Sequence, residues 1–237
     1  MVSVEAAALV IVVAAGLSIV AITRLPALPP ALTQHEPFMA SVVGGLTHLV
    51  RTPRLRASTV TTTMVMGASG VLLIALPLHM AAVGMPRSAA GYLWTALEIG
   101  SVATALLLGR LQTRWRPEYV VIVAAAAAGL VMTAWPLATS FVVLLLLAAA
   151  TGLFEGPMLP AMFAARQQYS PESLQGRVST TAASLRIGAS ALAQATAGLL
   201  VPTLGTHKAL LIVALTLLTA AVLGRLAALS TKVSVHA

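Results

Sequence analysis

Gly109-Arg110-Leu111-Gln112-Thr113-Arg114-Trp115-Arg116-Pro117 is the densest polar stretch of the chain, and a long apolar run lies on either side of it. Three arginines in nine residues are too costly to hold in hydrocarbon, so the stretch reads as a short turn between two membrane segments. Lys and Arg in short loops stay on the cytoplasmic side. The turn therefore faces the cytoplasm, and every other segment takes its direction from it.

The composition agrees. Of 237 residues, 59% are hydrophobic and 8% charged, whereas a soluble domain carries about 25% charged residues. Too little polar surface exists to cover a water-soluble globule. Several runs of 18 or more apolar residues meet the length needed to cross a core of about 30 Å. They lack the period-two alternation of barrel strands, so the expected fold is all-α, a polytopic membrane helical bundle. The net charge of +8 sits in the connections between spans, which explains it without a nucleic-acid partner. Cysteine is absent, which excludes disulfides and Cys-ligated metal. The Ala- and Arg-rich, Lys-poor composition points to a GC-rich bacterial gene. Glu5 and the lack of a basic residue before the first apolar run argue against a signal peptide; with Arg24 after that run, they put the N-terminus outside.

Seven spans are expected. The first covers residues 4–23. A proline-marked cytoplasmic connection follows over 24–56, and within it Met39, Val42, Val43, Leu46, Leu49 and Val50 share one helical face, as in an interfacial helix or an ordered loop. The remaining spans are placed at 57–83, 88–109, 118–137, 140–165, 178–201 and from about 208 to 229, with a cytoplasmic loop over 166–177 and a cytoplasmic tail over 230–237. On this topology eleven of the 14 Lys and Arg residues lie inside, Arg87 and Lys208 lie outside, and Arg186 lies in a span. So uneven a split is a strong orientation signal.

The chain resembles the C-terminal half of a major facilitator superfamily transporter, helices six to twelve. One long connection followed by six spans matches the centre and second half of that fold. Gly109, Arg110, Arg114 and Arg116 are similar to the family's cytoplasmic glycine-arginine motif, with Thr113 at its acidic position and Arg116 at its second glycine. Pro171-Glu-Ser-Leu-Gln-Gly-Arg177 and the stretch Val178 to Gly188 resemble actinobacterial efflux-type members. The resemblance implies 1–23 as a helix-six-like span, 24–56 as the central loop and 57–229 as a six-helix half. Such transporters rock two halves about a central site, so it also implies a missing N-terminal half, or a second copy, as partner.

Glu98, Glu155 and Arg186 are ionisable residues inside spans, and intramembrane charge marks substrate and proton pathways. Counted from Gly109, Arg166 and Arg177, each lies roughly 13–17 Å from a cytoplasmic anchor at a helical rise of about 1.5 Å per residue, so the three share a depth and are able to meet. A carboxylate in such a cavity can load and release a proton; alternatively, the charges pair and only hold helices together. Glu155 ranks first, because Gly152, Gly156, Pro157 and Pro160 interrupt its span, and Gly67, Gly70 and Pro77 interrupt the corresponding one. Gly152-x-x-x-Gly156 also reads as close helix packing. Thr62, Met66, Ser69 and Leu73 share a face that suits an amphipathic organic molecule or plain packing. Ala182, Ala183, Ala189, Ala193 and Ala197 form a small-residue surface around Arg186, read as an unfilled interface to the other half. Gln194 reads as helix glue and His79 as structural.

The serine of Gly67-Ala68-Ser69-Gly70 is similar to that of rhomboid proteases, but no other span offers a histidine base, so no enzyme activity is expected. No metal or dinucleotide motif occurs, and no cofactor or metal is expected. The reading is a secondary active transporter, present as a C-terminal half in a bacterial inner membrane with its C-terminus inside. It would exchange protons for a small organic molecule such as a drug or metabolite, with Glu155 as proton or substrate site, Arg186 as its counter-charge and Glu98 accessory. The competing reading is a non-transporting membrane assembly protein.

Overall fold

The computed structural model describes residues 4–24, 38–112 and 114–229; the tail over 230–237 and residues 25–37 of the central connection lie outside them. All regular elements among the described residues are helices. Two units are resolved, dividing after residue 37. The first holds α1 (Val4–Thr23), a helix that is apolar throughout Ala8–Thr23.

The second unit opens with α2 (Phe38–Arg51), which runs over the stretch of one-faced apolar spacing, and α3 (Pro53–Ala82). It continues through α4 (Ala90–Gln112), α5 (Pro117–Met132), α6 (Phe141–Glu155), α7 (Met158–Tyr169), α8 (Glu172–Leu204) and α9 (Thr206–Leu229). Proline begins α3 and α5, where its fixed φ suits the first turn and its missing N–H is no loss. Ser140 caps α6 by accepting from the Val143 amide at 3.3 Å. Gly84 (φ 78°) and Gly205 (φ 84°) make the tight turns after α3 and α8, in a backbone region that disfavours a Cβ.

Among the described residues, six helical segments are long and apolar enough to cross a membrane: Pro53–Ala82, Arg87–Leu108, Pro117–Leu137, Phe141–Tyr169, Glu172–Leu204 and Thr206–Leu229. The seventh expected span, at α1, is not among them; Ala8–Thr23 is a shorter apolar helical stretch. Connections are also shorter than expected. The loop placed over 166–177 is only Ser170 and Pro171, since α7 and α8 run through the polar residues on either side. Hydropathy marks where lipid ends, whereas a helix continues until proline or a turn residue stops it.

α3 is central. It packs along α8 and α9; α5 packs on α9 and α6, and α4 on α6. The core gathers Leu76, Met80, Leu93, Val121, Met132, Trp135, Leu210 and Leu217. α4 and α8 end this arc: 11% of the apolar window of α8 and 22% of that around α4 is buried, against 39–44% for the other four. Their other faces are exposed.

Candidate functional site

α4 and α6 touch backbone to backbone. A Cβ on Gly152 would land on the Leu97 carbonyl, one on Gly156 on the Ser101 carbonyl, and one on Gly100 on the Ala149 carbonyl. Glycine alone permits this approach. The contact brings Glu98 of α4 within electrostatic reach of Glu155 at the end of α6. Right after Glu155 the helix breaks at Gly156-Pro157 before α7 resumes at Met158, because Pro157 offers no amide hydrogen to the preceding turn.

Glu155 points inward. It shares a cavity of ≈ 10 Å³ with Ser69, Leu72, Trp94, Leu97 and Leu217, room for about one water. Glu98 is exposed, in a shallow groove with Trp94, Thr95 and Val102 on the open side of α4. One carboxylate thus faces the interior and the other faces outward, across the α4–α6 contact.

Of Thr62, Met66, Ser69 and Leu73 on α3, only Ser69 lines the Glu155 cavity, and its hydroxyl donates to the Val65 carbonyl at 3.0 Å. Thr62 is buried and donates to the Ser58 carbonyl at 2.8 Å. Met66 is half-buried and Leu73 exposed. The alanine face of α8 is not an unfilled interface: Ala189 and Ala193 lie against Gly67 and Gly70 of α3, and Ala182 and Ala197 are buried. Small residues on both helices let them close up, and the open side of α8 carries Leu185, Ile187, Leu192 and Leu199 instead.

Arg186 is not the counter-charge of Glu155: among the described residues no ion pair joins them. Its Nη1 donates to Met162 Sδ, and Arg166 Nη2 donates to the same sulfur at 3.4 Å. The reason is geometric. Side chains lean toward the N-terminus of their helix, which for α8 is the Glu172 end. Arg186 therefore reaches toward the end of α7, and Met162 lies two turns beyond Glu155 along the chain.

Three residues carry more than sequence reasoning assigned them. Arg166, expected in a loop, is 5% exposed and stacks over the Phe163 ring at 5.7 Å. Glu118 is 2% exposed; it accepts from the Tyr169 hydroxyl at 2.7 Å and lies 3.7 Å from Arg54. His48 of α2 in turn donates to the Tyr169 carbonyl at 3.0 Å. Together they tie the starts of α3 and α5 to the ends of α2 and α7. His79 bonds Thr206 at 3.0 Å and meets His207 edge-on, and Gln194 donates to Ser190 within α8. Arg114 and Arg116 are exposed between α4 and α5; the surroundings of Gly109 and Arg110 lie outside the described part.

The family model described as Major Facilitator Superfamily matches residues 58–235. The chain is 28% identical over 208 residues to a protein of Sinorhizobium fredii (strain NBRC 101917 / NGR234) named an uncharacterized MFS-type transporter, y4rN. That alignment covers 83% of this chain and 49% of the relative, so the chain spans about half the length of the curated relative it matches. The chain belongs to the major facilitator superfamily.

Proposed function

We propose that this member of the major facilitator superfamily forms one half of a secondary active transporter that exchanges protons for a small organic molecule, with export as the direction of flux. Glu155 is the proton-loading group and Glu98 its outward-facing accessory; Ser69 supplies a polar contact beside them. The observation that carries this reading is the inward-facing carboxylate of Glu155 at a broken helix, with Glu98 on the other side of the glycine contact of α4 and α6. Carboxylates are costly in a membrane, and a second one nearby raises that cost unless a proton is taken up.

In this reading α1 is a seventh span, the N-terminus lies outside and the arginine-rich turn faces the cytoplasm of a bacterium. The open faces of α4 and α8 receive a second half, supplied by another polypeptide segment or a second copy. Flux driven by a pH gradient in reconstituted vesicles tests the proposal. Glu155→Gln is expected to abolish gradient-driven uptake while leaving the protein folded; undiminished flux would remove Glu155 from the mechanism.

A second reading, a membrane assembly protein without transport, is supported by the same open face of α8. It would stand if a defined complex forms through that face and no vesicle preparation shows flux.

A further inference from the structure

Two guanidinium groups, from α7 and α8, converge on one methionine sulfur. A thioether is a weak acceptor and carries no charge, so it cannot balance either cation. Arg186 Nε is buried and has no hydrogen-bond partner. Arg166, nearly enclosed, has the Met162 sulfur and the Phe163 ring as neighbours. Arg166 also feels the like charge of Arg186.

No carboxylate with a described side chain answers them. Glu98 and Glu155 lie with one another at the α4–α6 contact, Glu118 is engaged by Arg54 and Tyr169, and Glu172 is exposed in the first turn of α8. A buried cation without a partner is strongly unfavourable, and two side by side more so. The chemistry that answers two converging guanidiniums is an anion, because guanidinium forks match the paired oxygens of carboxylate, sulfonate and phosphate.

We propose that Arg166 and Arg186 form an anion-binding site in which a carboxylate, sulfonate or phosphate group bridges both guanidiniums above Met162. Entry is from the open side of α8, where Arg186 is only half-buried and is met first, with Arg166 beneath it. Resting on the transport reading above, the site makes the transported class organic anions. The same headgroup chemistry is offered by anionic lipids, and the test separates the two sources.

The chain is purified in a neutral detergent, and binding of benzoate and of inorganic sulfate is followed by calorimetry at constant ionic strength, with benzamide as the uncharged counterpart. Saturable binding of benzoate or sulfate but not benzamide is expected. Arg186→Gln is expected to remove it, and Arg186→Lys, which keeps the charge and loses the fork, to weaken it roughly tenfold or more. Because Arg166→Gln risks misfolding, the Arg186 pair of variants, checked for unchanged helicity, carries the result. Repeating the titration in vesicles of phosphatidylcholine, with and without phosphatidylglycerol, identifies the source. Competition by phosphatidylglycerol that Arg186→Gln abolishes assigns the site to a lipid headgroup and keeps the anion chemistry while removing the substrate assignment. No saturable anion binding by the parent chain, or equal binding by Arg186→Gln, would overturn the site. Anion binding without gradient-driven flux would sink the transport reading and leave the site. Flux of an uncharged molecule without anion binding would do the reverse.

Discussion

Replacing Gly152 with alanine puts a methyl group where the Leu97 carbonyl already lies. The added Cβ would stand 2.7 Å from the Leu97 carbonyl carbon and 3.0 Å from its Cα. Non-bonded carbons rest at about 3.5–4.0 Å, so α4 and α6 must part by on the order of 1 Å. Neither obstacle is a flexible side-chain end that could swing away; both are backbone. A gap of that size forfeits roughly a quarter to a half of each dispersion contact along the seam, including those at Gly100 and Gly156. Overpacking of this kind costs about 1–3 kcal/mol, offset in part by the better helix propensity of alanine, worth about 0.5–1 kcal/mol. The net loss is on the order of 1 kcal/mol, or roughly 5-fold in the folded-to-unfolded ratio. Unfolding in mixed micelles of neutral detergent and dodecyl sulfate reads this directly. Trp135 is the reporter: it is buried and bonded to Thr151, the residue before Gly152. Gly91→Ala, on the partner helix α4, is the control, because nothing lies within 4 Å of its added Cβ; it should stay within about 1 kcal/mol of the parent. If Gly152→Ala were as stable as Gly91→Ala, the backbone contact that brings Glu98 to Glu155 would be refuted.

Thr151→Val removes the acceptor of the Trp135 indole N–H, 3.1 Å away in the core, and leaves that donor buried and unpaired. A loss of about 1–3 kcal/mol is expected, with Thr151→Ser restoring most of it, both read by the same unfolding titration. At Glu118 two variants separate two effects. Glu118→Gln still accepts from Tyr169 and frees only the Arg54 contact, which is 50% exposed on the arginine side; it should cost less than about 1 kcal/mol. Glu118→Leu also strands the Tyr169 hydroxyl and should cost about 1–3 kcal/mol. Equal losses in the two would show that the charge, rather than the hydroxyl bond, holds these helix ends.

The membrane character, the helical class and the interruption at Gly152 to Pro157 were legible because each rests on local chemistry. Apolar run length, the absence of alternation, and Gly-Pro punctuation all act within one turn of the residues that carry them. Partnership of charges was not legible, and Arg186 shows why. Its depth could be counted from Arg177, but its direction depends on which way α8 runs and on what α7 offers. The same holds for Arg166: a basic residue at the end of an apolar run reads as a loop anchor until α8 is seen to cover it. Glu118 follows Arg116-Pro117 and reads as an ordinary first-turn acid, favourable to the helix dipole. Its tie to Tyr169, 51 residues on, has no sequence signature. The alanine stripe of α8 failed differently. Small residues announce close approach, but the stripe alone does not say to which helix, and Gly67 and Gly70 of α3 were the complementary half of that signal.

The placement of charge is the feature on which the two proposals meet. Two acids and two bases in one bundle could cancel as ion pairs, and cancellation is the cheapest arrangement in a medium of low dielectric. Here the acids lie together on α4 and α6, while the bases lie together on α7 and α8. The Gly156-Pro157 break falls between the two groups. Like charges held together are not stable as they stand, and the glycine contacts and buried helix faces must supply the difference. On the two proposals, a proton would relieve the acidic group and an anion the basic one, so each ligand would be bound where it offsets like-charge repulsion. Glu155 stands directly before the break and Met162, where the two arginines meet, lies on the helix directly after it, and coupling between two ligands would require a shared element of this kind.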